Sequence, residues 1–94
     1  MSIQGFTCGD TQALFETDKS QRFGSIRKVA SRKLAMLDAA EKLEDLKSPP
    51  GNHLEALVGD RAGQHSIRIN RQWRVCFVWT DAGPTDVEIN NHYA

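Results

Sequence analysis

Residues 64–92 read QHSIRINRQWRVCFVWTDAGPTDVEINNH, and the alternation within them decides the fold. Three runs, 64–69, 73–80 and 84–92, alternate apolar and polar residues at strand spacing. Asn70-Arg71-Gln72 and Asp81-Ala82-Gly83 separate them and are short enough to be hairpin turns, which predicts an antiparallel meander. Successive side chains of a strand point to opposite faces. Ile67, Ile69, Val75, Phe77, Val87 and Ile89 then form a core face, and Ser66, Arg68 and Arg74 point the other way. Strict alternation sends Trp79 to the core and Val78 away from it unless a bulge intervenes. Trp73 and Trp79 share the parity of Val75 and Phe77, which makes them core or core-edge residues rather than base-stacking platforms. His65 has the parity of Ile67 and belongs to the core edge.

Upstream, the apolar period changes from two to three and four. Ile26, Val29, Ala30, Leu34, Leu37, Ala40, Leu43 and Leu46 make one stripe, which predicts a helix capped by Ser25 and running to about Lys47. Ser48-Pro49-Pro50-Gly51-Asn52 stops it, because proline cannot continue the hydrogen-bond ladder. A brief helix through Phe15 and Glu16 is expected before it, capped by Asp10 or Thr11, and residues 3–7 read as a short strand. Residues 53–62 form an irregular connection anchored by Leu54 and Leu57. The expected class is α+β, with two N-terminal helices packed on a small, mainly antiparallel sheet.

Ninety-four residues are read as one domain, 1–94, with a thin core and room only for a shallow site. No apolar run is long enough to cross a membrane, and the N-terminus lacks a signal-peptide pattern. Cys8 and Cys76 have no metal spacing with the histidines. Together these features predict a cytoplasmic protein with two free thiols, both half-buried or in the core. Twelve basic and twelve acidic residues cancel, yet they are segregated along the chain. Arg27, Lys28, Arg32 and Lys33 stand in an acid-free stretch. Asp38, Glu41, Glu44 and Asp45 follow, and Arg61, Arg68, Arg71 and Arg74 face only Asp60 in residues 60–74. Basic charge in the first half of the long helix and acidic charge in the second oppose the macrodipole at both ends. The basic half makes sense as a surface for a nucleic acid, with a solvated face as the plain alternative.

Cleaving RNA without a metal requires loss of a proton from the 2′-hydroxyl, positive charge at the phosphorane and a proton for the leaving oxygen. Arginine suits the middle task, since its planar fork binds two phosphate oxygens. Arg68 and Arg74 are predicted to share a face. Spacing alone does not separate a phosphate grip from two solvated arginines. His92 and Tyr93 are the candidate proton handlers, with Asn90 and Asn91 beside them. His53 lies where it could reach a bound strand. Arg61 with Asp60 reads first as a structural ion pair and second as a phosphate contact.

With Leu57-Val58-Gly59-Asp60-Arg61, Ser66-Ile67-Arg68 and Trp73-Arg74, the chain resembles the HigB-type toxins of type II toxin–antitoxin systems, in the RelE/ParE superfamily. The resemblance runs from Phe6 to Tyr93. It implies a ribosome-dependent messenger-RNA endoribonuclease that inhibits translation and needs no cofactor. Arg74 matches an arginine that the family carries at its active site. The partners it implies are the ribosome, mRNA and a HigA-like helix-turn-helix antitoxin, with DNA reached only through the antitoxin complex. Two departures stand out. Val58 replaces a lysine found in some relatives, and Asn91-His92-Tyr93 replaces a terminal Asp-Tyr-His, so His92 takes the tyrosine position. The rival readings are a ParE-like gyrase-inhibiting toxin and a weak or inactive toxin serving as a co-regulator.

Overall fold

The computed structural model describes residues 2–91. Helix α1 spans Gly9–Thr17 and α2 spans Arg27–Ala39. Strands β1 (Glu55–Ala56), β2 (His65–Arg68), β3 (Arg74–Thr80) and β4 (Gly83–Asn90) follow. They form a sheet of order β1-β2-β3-β4 in which every pair is antiparallel. Both expected hairpins form. Asn70 organises the first, its Oδ1 accepting the Gln72 and Trp73 N–H groups at 2.8 Å each, as an asparagine in a turn does.

The core lies where alternation places it. Ile67, Val75, Phe77, Val87 and Ile89 are at most 1% exposed. They pack under Leu14, Phe23, Ala30, Leu34 and Leu37. Each such side chain contributes roughly 1.5–3 kcal/mol by leaving water. Trp73 and Trp79 pack at the edge of this core, and His65 stacks on Phe77 with ring centres 6.3 Å apart. The bulge falls on β4, not β3: Cys76 pairs Glu88 while Val78 pairs Thr85, and Asp86 takes φ 52°. The β3 alternation survives, which is why Trp79 keeps its expected side.

Five local expectations change. The long helix ends at Ala39, and Ala40 turns extended at ψ 133°. The acidic segment then forms a separate 3₁₀ turn, Leu43–Lys47. Asp45 Oδ2 accepts the Glu41 and Lys42 N–H groups at 3.0 and 3.2 Å, a side-chain alternative to helical bonding. The break puts Glu44 and Asp45 in a first turn, where acids are favourable, and so removes half of the macrodipole conflict. Ser25 does not cap α2. It sits in the 3₁₀ turn Gly24–Ile26, and Ile26 occupies the cap position.

Neither Asp10 nor Thr11 caps α1, whose cap position is Cys8. Thr11 is buried, and its hydroxyl accepts the Ile89 N–H at 3.0 Å, tying α1 to β4. The expected strand at 3–7 is extended but makes only a parallel bridge, Phe6 to Val87, beside β4. Its backbone bonds join Gln4 N–H to Pro84 O (2.7 Å) and Val87 N–H to Gly5 O (3.1 Å). Finally, the irregular connection at 53–62 contains β1, with Glu55 opposite Ser66. A two-residue strand leaves too little alternation to read.

Cys8 is half-buried and Cys76 buried, and both are free thiols. Among the described residues no helix is long and apolar enough to cross a membrane.

Candidate functional site

The face of the sheet away from the helices carries the site. Arg68 on β2 and Arg74 on β3 are direct cross-strand partners, and Arg74 is in turn opposite Asn90 on β4. Around the two arginines lies an open groove of about 310 Å³ lined by His53, Glu55, Arg68, Asn70, Arg71 and Arg74. Three guanidiniums there face one carboxylate, which makes the groove a cationic site within an electroneutral chain.

Arg74 is held from several sides. Its Nε donates to Ser66 Oγ at 2.8 Å, and its Nη2 donates to the His53 carbonyl at 2.6 Å and toward the Ser66 carbonyl at 3.4 Å. The Glu55 carboxylate stands 3.9 Å away. The Arg74 side chain is only 11% exposed, so it forms the groove floor rather than a solvated projection. A planar fork fixed by carbonyls and a hydroxyl needs little further ordering to meet an anion. Arg68 is half-buried, and its Nε donates to the Asn70 carbonyl at 3.0 Å. Arg71 is exposed at the hairpin turn.

The other expected site residues separate. His53 does reach the groove, in a left-handed conformation at φ 45°. Arg61 does not pair with Asp60. The 3₁₀ turn Gly59–Arg61 directs it to Glu88 on β4, with Nη1 at 2.8 Å from the carboxylate and 2.9 Å from Gln64 Oε1. Asn90 is buried and donates toward Cys76 Sγ at 3.4 Å, while Asn91 is exposed beyond the end of β4. Neither asparagine lines the groove. His92 and Tyr93 lie outside the described residues.

On α2, Lys28 and Arg32 are exposed. Arg27 pairs with Asp18 at 3.3 Å, an acid that also accepts the Ser31 hydroxyl at 2.6 Å. Lys33 turns inward to Asn52 Oδ1. Burial holds its ammonium below the usual lysine range, and the neighbouring Arg32 adds to the effect. Two of the four residues read as one basic surface, Arg27 and Lys33, are therefore engaged within the protein, and Lys28 and Arg32 remain exposed.

Glu55, Asn70 and Arg71 belong to the groove although sequence reasoning gave them no part in the site. Arg71 carried a signal, as a third arginine at the tip of the hairpin that also bears Arg68 and Arg74. Glu55 carried none, since only the pairing of β1 with β2 brings its carboxylate to Arg74. Val58 is 84% exposed and presents no charge at its loop position.

The family model described as the RelE-like toxin of the type II toxin–antitoxin system HigB matches residues 6–93. Toxin HigB-1 of Vibrio cholerae serotype O1 is 40% identical over 83 residues, which cover 86% of this chain and 87% of that protein. An uncharacterized protein of Haemophilus influenzae is 41% identical over 69 residues, 73% of this chain and 63% of its own length. Among solved structures, a YoeB/ParE toxin from Agrobacterium tumefaciens superposes with a TM-score of 0.56 over 99% of this chain and 100% of that one. Its 21% identity makes that a likeness of fold. The chain belongs to the HigB-like toxins of type II toxin–antitoxin systems, with a RelE-like fold and, as a type II toxin, an antitoxin for its partner.

Proposed function

We propose that this toxin is a metal-independent endoribonuclease that cuts messenger RNA on the ribosome and thereby inhibits translation. The observation that carries the reading is the fixed Arg74 beside Arg68 in an open cationic groove. A guanidinium already held by carbonyls and a hydroxyl stabilises charge that develops on a phosphorane with little reorganisation. The groove is too shallow to orient an RNA strand from all sides, which suits a division of labour in which the ribosome presents the message.

Arg74 and Arg68 take the phosphate, and Arg71 extends the positive charge along the groove rim. Proton transfer falls to His92, with Tyr93 as the alternative; the chain reaches both directly after β4, whose last residue pairs with Arg74. Glu55, the carboxylate at the groove, is a further proton acceptor within reach of a bound strand. Arg27, Lys28 and Arg32 supply charge for ribosomal RNA. Lys33, occupied with Asn52, is a weaker candidate for that surface. The antitoxin is HigA-like, with a helix-turn-helix domain through which the pair meets DNA.

Expression of the chain alone in bacteria tests this. Growth arrest with shortened translated messages, while free RNA stays intact, is the expected outcome. Efficient degradation of naked RNA by the purified protein overturns ribosome dependence. Arrest with full-length messages points instead to a target such as gyrase.

A further inference from the structure

We infer that Lys33 and Asn52, neither of which lines the groove, are positioning residues for Arg74; the inference rests on the groove's being an RNA-cleaving site. Asn52 is fully buried, and its side chain is engaged on both ends. Oδ1 accepts from Lys33 Nζ of α2, and Nδ2 donates toward the Leu46 and Ser48 carbonyls at 3.1 and 3.3 Å. One amide thus ties α2 to the segment that follows it. The backbone closes a 3₁₀ turn at the same place, with Asn52 N–H on Pro49 O (2.9 Å) and His53 N–H on Pro50 O (3.1 Å).

His53, the next residue, leaves that turn at φ 45°. For a residue with a Cβ this region is unfavourable, so the surrounding structure must impose it. The carbonyl of His53 is the one that takes the Arg74 Nη2 hydrogen bond at 2.6 Å.

The acceptors that hold Arg74 therefore differ in kind. Ser66 offers its hydroxyl and carbonyl from the middle of a paired strand, which needs no outside support. The His53 carbonyl comes from a loop, and a loop stays put only if something anchors it. Lys33 and Asn52 are that anchor. An arginine side chain that nothing holds samples many rotamers. A wandering His53 carbonyl would release one end of the fork and spread the guanidinium over several orientations.

Lys33→Met and Asn52→Ala test the path. The Arg74 Nη2–H signal, the one held by the His53 carbonyl, should exchange with solvent about 10-fold faster or more in either variant, while backbone amides of β2 and β3 keep their wild-type protection. Single-turnover cleavage on programmed ribosomes should slow by about 10- to 100-fold at saturation, with the half-saturating concentration unchanged. Adding Arg74→Ala to Lys33→Met should cost nothing beyond Arg74→Ala alone, because both changes act on one group.

If Asn52→Ala does not fold, Lys33→Met decides. Unchanged Arg74 exchange in a folded variant overturns the inference, as does a wild-type cleavage rate with perturbed exchange. Wild-type protein that leaves ribosome-bound messages uncut refutes the RNA-cleaving reading instead, and the exchange measurement still decides whether Lys33 and Asn52 hold Arg74.

Discussion

Arg68 and Arg74 stand directly opposite each other across β2 and β3, two guanidiniums in register on one face of the sheet. Like charges at such a position destabilise a sheet by a few tenths to about 1 kcal/mol. The Glu55 carboxylate 3.9 Å from Arg74, with the carbonyls of His53, Ser66 and Asn70, offsets the repulsion. Packing alone gives no reason to place both cations here. An anion lying between them does.

That relationship predicts a trade between stability and activity at Arg68. Arg68→Thr, which places a β-branched residue on the strand, should raise stability by up to about 1 kcal/mol and weaken growth arrest. Urea unfolding at unchanged m-value reads the first effect, and growth after induction reads the second. A clear loss of stability would contradict the like-charge account.

Arg74 behaves differently because it is nearly buried. From its strand parity it would be an exposed side chain whose removal costs under about 1 kcal/mol. With its hydrogen bonds to Ser66 and the His53 carbonyl, Arg74→Ala should instead cost about 1–3 kcal/mol, the acceptors being left without a donor. Growth arrest should disappear at temperatures where the variant is still folded by circular dichroism. Arg74→Lys should not restore it, since an ammonium cannot span both acceptors and phosphate. Full toxicity in folded Arg74→Ala would remove this residue from the mechanism.

The C-terminal pair is separable by mutation. If His92 transfers the proton, His92→Gln should lower single-turnover cleavage on programmed ribosomes by roughly two to four orders of magnitude, and Tyr93→Phe should matter far less. The reverse ranking assigns the chemistry to Tyr93. Normal cutting by both variants shifts proton transfer to Glu55 and His53.

Cys76 gives a pH-dependent signature. Burial pushes its thiol above the usual range, partly countered by the nearby Arg61. A group whose folded-state pKa is raised stabilises the fold fully below its unfolded-state pKa, and loses that contribution as pH rises through the folded value. Stability should therefore fall on the alkaline side of the ordinary thiol pKa, and Cys76→Ala should flatten that part of the profile. In the native protein a thiol reagent should label half-buried Cys8 first and Cys76 only on opening. Equal labelling rates would contradict the burial of Cys76.

Period alone determined a great deal of this molecule. The twofold alternation of residues 64–90 was sufficient for three strands, two hairpins and the inward set from Ile67 to Ile89, because each apolar side chain there has only one face on which to leave water. It also put Arg68 and Arg74 on one surface. Local pattern misjudged the end of α2, since the stripe continues through Leu43 and Leu46 while Asp45 captures the backbone N–H groups that a longer helix would need. Pairings distant in sequence were decided only by the fold. Glu55 reaches Arg74 through β1, Arg61 finds Glu88 instead of the adjacent Asp60, and Thr11 spends its hydroxyl on Ile89 rather than on a helix cap. In each case a polar group chose among several partners of similar chemistry. Hydrophobic period fixes which face a residue occupies, but the partner is settled by which groups the packed core brings within about 3 Å.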